Sequence, residues 1–164
     1  MTSRAIIWFR RDLRISDHPA LLAAIAESDE IVPLFIMDNR IAGKSGSFRL
    51  AYLAESLRSL DKSLGEKLLV IAGDPSDVLK DVMARYGASS VHVSADYTPY
   101  GVSRDAKVIA SGIELIQTGS PYAVAPGRVR KSDETPYRVY TPFYRAWCAH
   151  GWRAPAGCII ARAW

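Results

Sequence analysis

Few residue types that do chemistry unaided are abundant here. The chain has only two cysteines, Cys148 and Cys158, so it has no disulfide framework and no cysteine-metal spacing. Its three histidines, His18, His92 and His150, are scattered, with no HxxxH pattern, so no zinc or iron site is expected. Long apolar runs are also missing. Residues 5–9 and 31–37 fall well short of the ~20 residues a membrane span needs. The N-terminus lacks the long apolar stretch and cleavage site of a signal peptide, so a cytoplasmic location is expected. No GxGxxG, GxxxxGK[ST] or GxSxG occurs, which leaves a dinucleotide fingerprint, a phosphate loop and a hydrolase elbow unsupported.

What is present suits one α/β domain. At 164 residues with 49% hydrophobic and 23% charged residues, the chain has an ordinary globular composition. Residues 5–9, 31–37, 67–72, 91–93 and 113–116 read as buried strands. Between them lie helical patterns. The first opens at Pro19, with Ser16 or Asp17 as its cap. The second is capped by Ser47 and carries Leu50, Leu53, Leu57, Leu60 and Leu64 at three- and four-residue steps, stopping at Gly65. A third follows the turn Gly73-Asp74-Pro75 and ends at Gly87, with Asp74 and Asp77 at its acidic start. A fourth runs to Gly112. Five strands alternating with four helices predict a doubly wound, five-stranded parallel sheet with helices on both faces.

After Gln117 the alternation stops. Residues 119–136 contain Gly119, Pro121, Pro126, Gly127 and Pro136, which predicts a long surface loop. Residues 140–150 suit a last short helix, whose aromatics Tyr140, Phe143, Tyr144 and Trp147 are expected to pack. The charge is uneven as well. Residues 119–164 carry seven Lys or Arg against Asp133 and Glu134, although the whole chain is only +4. Such an end can face nucleic acid or simply be a solvated loop, and charge alone favours the loop. Ligands of an open parallel sheet bind beyond its strands' carboxyl ends. There Arg10-Arg11-Asp12-Leu13-Arg14 can hold a phosphate or carboxylate, or form an ion-pair knot with Asp12; the knot is the favoured reading.

These residues carry a resemblance. Residues 8–21, Trp-Phe-Arg-Arg-Asp-Leu-Arg-Ile-Ser-Asp-His-Pro-Ala-Leu, resemble the opening motif WFRRDLRxxDNPAL of DNA photolyases and cryptochromes, with His18 where Asn is common. Gly73-Asp74-Pro75 is similar to that family's GDP turn. Residues 135–147 look like its PYxVFTPFWxxW segment. The likeness runs from about Arg4 to Trp152 and implies the family's N-terminal α/β domain over residues 1–150. Residues 151–164 would then begin an interdomain linker or form a truncated tail.

The resemblance implies a light-harvesting, antenna-chromophore domain, part of a longer enzyme. The parent would be a deoxyribodipyrimidine photo-lyase, repairing ultraviolet-induced pyrimidine dimers with blue light and an FAD. In the family that FAD and the damaged DNA are held by a C-terminal helical domain, absent from this sequence. This chain would then contain no catalytic residue and be inactive alone. A cryptochrome, which signals instead of repairing, shares the domain. Two other readings are a free-standing nucleotide-binding module and an interaction domain without ligand.

For the antenna, residues 94–101 with Arg104-Asp105 are similar to the EPYGxxRD form of deazaflavin-type members. A deazaflavin is therefore favoured over folate or FMN. Phe35, Asp38, Arg49, Asp96 and Arg104 are the implied cofactor-binding residues. Arg49 and Asp96 also have ordinary alternatives, as a solvated helix charge and a loop cap. Residues 152–164 are too apolar for a free tail. They are expected to fold back, pair with another copy, or be disordered, and a weak homodimer is expected from the exposed patch.

Overall fold

The computed structural model describes residues 2–158. Its centre is the strand β1 (Arg4–Phe9), in which five consecutive residues are buried. A strand buried along its whole length must be covered on both faces, and it is. β1 pairs with β2 (Glu30–Met37) on one side and with β4 (Ser90–Val93) on the other, both parallel. β3 (Leu69–Ala72) and β5 (Leu115–Gln117) form the edges. The spatial order is β3-β2-β1-β4-β5.

Alternation along β1 sorts its side chains between two cores. Ile6 and Trp8 join Leu34, Ile36, Val91 and Val93 beneath α4 (Pro75–Tyr86) and α5 (Pro99–Ala110), which add Leu79, Val82 and Val108. Ala5, Ile7 and Phe9 face α1 (Pro19–Glu27) and α3 (Ser47–Ser63), which add Leu21, Ala24, Leu57 and Leu60. Leu21, Leu34 and Leu79 are fully buried, each contributing about 1.5–3 kcal/mol before entropy. The doubly wound parallel sheet expected from the strand–helix alternation is the one observed.

Several local expectations need correction. Neither Ser16 nor Asp17 caps α1. His18 does, its Nδ1 accepting the Leu21 N–H at 3.2 Å. Ser47 is already inside α3, and the cap position is Gly46, with no side-chain hydrogen bond. A short helix not expected from the sequence, α2 (Asn39–Ala42), follows β2, with Asp38 as its cap. The edge strands β3 and β5 are shorter than their apolar runs. Of the leucine stripe, Leu57, Leu60 and Leu64 are buried and Leu53 packs partly against the same core, but Leu50 is exposed, so the first turn of α3 stands away from the sheet. Asp74 caps α4 as expected, accepting the Ser76 N–H at 2.9 Å.

The last helix, α6 (Tyr140–His150), also departs from expectation, since none of its residues is buried. Its aromatics pair only locally: Tyr140 stacks on Tyr144 at 5.7 Å and Trp147 on Trp152 at 4.9 Å. The expected packing of this face against the domain is therefore not seen within residues 2–158. The segment after α6 folds back as far as Cys158. Asp17 accepts the Ala156 N–H at 2.8 Å and pairs with Arg153 at 2.6 Å, and Ser16 bridges to Cys158. The remainder of the expected linker or tail, residues 159–164, lies outside the described residues. Among the described residues no helix is long and apolar enough to cross a membrane, and no three metal-capable side chains cluster.

Candidate functional site

Strand order reverses between β1 and β4, and the chain segments leaving these strands diverge there. Their residues build a buried polar network. Arg10 leaves β1 and reaches Asp105 on α5, Nη1 to Oδ1 at 2.6 Å, while its Nη2 donates to the Ser94 carbonyl. Arg104 donates to the same Asp105 oxygen from Nε at 2.9 Å and Nη2 at 2.8 Å. Gln117 on β5 donates to the second oxygen at 3.0 Å. Burial is the chief cause that lowers the Arg10 pKa; Arg104 adds to it, and Asp105 opposes it. The guanidiniums of Arg10 and Arg104 both lie over the Trp8 ring, at 5.1 and 5.0 Å from its centroid.

The loop after β1 is thus held by ion pairs, but Asp12 is not the arginines' partner. Asp12 turns inward, accepts the Ser94 hydroxyl, and lies 3.1 Å from His18 Nε2. That His18 nitrogen is out of line for a hydrogen bond and has no other partner among the described residues. Burial lowers the His18 pKa, against the pull of Asp12.

Beside this network, beyond the carboxyl ends of β1 and β2, lies a cleft of about 590 Å³. Its size suits a small aromatic ligand, since such sites hold roughly 300–1,000 Å³. Phe9, Phe35 and Met37 give it an apolar floor, and Leu50 and Leu53 of α3 form a wall. Four of the five residues implied by the resemblance line it: Phe35, Asp38, Arg49 and Arg104. Asp96 does not. It sits in the loop after β4, where it accepts the Thr98 N–H at 3.0 Å and Oγ1–H at 2.9 Å and lies 3.4 Å from Arg104. Burial would raise the Asp96 pKa, but the two Thr98 hydrogen bonds and then Arg104 lower it. A Cβ at Gly101, in the adjoining first turn of α5, would meet Asp96 Cγ at 2.2 Å, so a larger residue there would have to displace the Asp96 carboxylate.

The four lining residues differ in what they leave free. Asp38 is already engaged by the Arg40 guanidinium at 2.7 Å and by the Tyr100 hydroxyl. Arg40 chiefly holds its pKa down to about 2, against burial, with Tyr100 assisting. Arg104 is committed to Asp105 and stacks on Tyr100 at 5.7 Å. Arg49, in the first turn of α3, is exposed and has no partner among the described residues. Arg11 also lines the cleft and is likewise unpartnered there. Two uncompensated cations over an apolar floor favour a flat ligand with an anionic group.

Sequence reasoning gave no role here to Tyr100, Trp8, Arg40 or Asp105. Tyr100 and Asp105 stood inside the quoted segment, so only their function was missed. Arg40 lies on α2, the short helix that the sequence pattern does not predict.

Residues 5–158 match the family model for DNA photolyase. The chain belongs to the DNA photolyase family. It is 35% identical over 152 residues to a deoxyribodipyrimidine photo-lyase of Agrobacterium fabrum, covering 88% of this chain and 32% of that protein. A bacterial class III photolyase from Agrobacterium tumefaciens superposes with a TM-score of 0.80 at 30% identity, covering 94% of this chain and 33% of the other. An archaeal photolyase from Sulfolobus tokodaii, described with two FAD molecules and a novel light-harvesting cofactor, superposes at 0.74 with 28% identity, covering 94% and 37%. Cryptochromes are also among the relatives, one from Gallus gallus at 34% identity over 122 residues, 69% of this chain and 21% of the other. This photolyase-family chain spans about a third of the length of the curated photolyases it matches.

Proposed function

We propose that this domain is the light-harvesting part of a DNA photolyase and holds a flat, anionic antenna chromophore in the cleft between β1, β2 and α3. The observation that carries the reading is the cleft itself, where an apolar floor lies under the unpartnered guanidiniums of Arg49 and Arg11. Phe35 would support one ring face, while Arg49 and Arg11 would meet the anionic group. Asp38 would act through Tyr100, which it orients, because its own acceptors are taken up by Arg40 and Tyr100. Asp96 would act at one remove, fixing the turn that carries Arg104. A deazaflavin remains favoured over folate or FMN, on the likeness of residues 94–105 to the deazaflavin form. The Sulfolobus relative's second FAD supports a chromophore site of this general kind.

When bound, an antenna absorbs light and passes its excitation to a flavin. The FAD and the damaged DNA would be held by a helical domain elsewhere in a protein of the relatives' length. The whole protein would split ultraviolet-induced pyrimidine dimers, and this domain would supply no catalytic residue. Residues 1–150 would form the domain and residues 151–164 the start of the connection. The uncovered aromatic face of α6 suits a further domain docking there, or a weak homodimer in its absence. The cryptochrome relatives favour a second reading for the whole protein, signalling in place of repair.

The test is to add deazaflavin, folate and FMN separately to the purified chain and follow absorption. Saturable deazaflavin binding that Arg49→Ala weakens supports the site. Absence of binding by all three removes the antenna reading.

A further inference from the structure

A second concave surface lies at the far side of the sheet, beyond β4 and β5, where Ala95, Gln117 and Gly119 form its base. It is a broad groove of about 690 Å³, bounded by the loop of residues 119–139 and by the segment after α6. A hollow of about 350 Å³ continues it and shares Tyr122, Trp152 and Arg153. The surface therefore runs on past the space one small molecule would fill.

Its walls are aromatic and exposed. Tyr97 and Tyr122 meet edge to face at 6.3 Å, both open to solvent. Trp152 is 60% exposed with one face on Trp147, so the other is free to stack. The charged residues lining the groove are Arg128, Arg130 and Arg153, with His150 beside them and no carboxylate among them. Arg153 is neutralised by Asp17. Arg130 donates only to the carbonyls of Gly127 and Glu134, at 2.9 and 3.2 Å, so its charge is uncompensated. Arg128 has no side-chain partner among the described residues.

Open ring faces beside uncompensated guanidiniums match two demands at once. Bases stack on aromatic side chains, and the phosphates that join them need cations along the path. A lone phosphate would leave the rings unused, and an apolar ligand would leave the arginines unused.

We propose that this groove binds a short stretch of single-stranded nucleic acid, with bases on Tyr122 and Trp152 and phosphates at Arg128 and Arg130. It is separate from the antenna cleft and does not depend on that reading.

Anisotropy of a labelled oligothymidylate, titrated with the whole chain at several salt concentrations, tests the groove. Affinity falls as salt rises, and Arg128→Glu shallows the log–log slope by about 0.7, the loss of one single-strand phosphate contact. Trp152→Ala weakens binding roughly tenfold with the slope unchanged. Lys107→Glu, an equal charge change in the last turn of α5, leaves the affinity as it was. Equal weakening by Lys107→Glu and Arg128→Glu would show mere net-charge attraction and overturn the proposal. So would no binding at low salt, or full displacement of the oligomer by an equal concentration of thymidine monophosphate. Deazaflavin titration of the Arg128→Glu chain, expected unchanged, keeps this result apart from the antenna cleft.

Discussion

Arg10 Nη1 and Asp105 Oδ1 lie 2.6 Å apart although 95 residues separate them in the chain, and both side chains are almost fully buried. One carboxylate thereby answers two guanidiniums, Arg10 and Arg104, and fixes the loop after β1 to α5.

Removing that carboxylate strands two buried cations. Asp105→Ala is expected to cost about 3–5 kcal/mol, the range for breaking a buried pair from one side. Urea unfolding measures it. A loss under about 1 kcal/mol would mean that water or Asp96 can take over both arginines.

Acid sensitivity should centre on Asp38. Its folded pKa of about 2 lies below the ordinary carboxylate value near 3.9. The stability from this group is fully present above the ordinary value and is lost as pH falls through about 2. Asp38→Asn should flatten the pH dependence of unfolding across that window. Tyr100→Phe should raise the Asp38 pKa partway, because Arg40 remains, and carboxylate titration by NMR would detect it.

Histidine sets a second window. Burial lowers the pKa of both His18 and His92, chiefly against Asp12 for the first and Glu27 for the second. For a base whose folded pKa is depressed, stability is full above the unfolded value near 6.5 and declines as pH falls below it. His18→Asn keeps a cap for α1 and should remove part of that decline, leaving the part due to His92. Unfolding curves on either side of about pH 6.5 decide this; an unchanged difference between them would clear His18 of the effect.

The uncovered helix makes an unusual forecast for large aromatics. Tyr144→Ser on α6 should change stability by no more than about 0.5 kcal/mol, as at an exposed site. The same change, combined with Tyr140→Ser, should lower any self-association seen by sedimentation. A cost of several kcal/mol would instead show that α6 is packed in solution.

The sheet was legible because β1 and β2 carry apolar runs that need no tertiary information to recognise, and the two valines of β4 mark a further strand between turn residues. The site was legible only in part. Phe35, Asp38, Arg49 and Arg104 fell on the cleft through a family likeness, whereas Asp96 was displaced from it by its own turn. That displacement follows from Thr98, whose N–H and hydroxyl claim the carboxylate locally. The leucine stripe of α3 misled for another reason: a three-and-four repeat reports one face of a helix, not how much of that face meets the sheet. His18 could not be read as a cap, because its role depends on the ring turning Nδ1 toward Leu21.

Asp17 joins places 139 residues apart, accepting the Ala156 N–H while it holds Arg153. A mechanical load applied beyond residue 158 would therefore not pull first on the sheet. It would pass through this clamp into residues 14–17, then to the neighbouring His18 and the start of α1. The loop after β1, which leads into the cleft beside α3, is the anchor that would bear the strain.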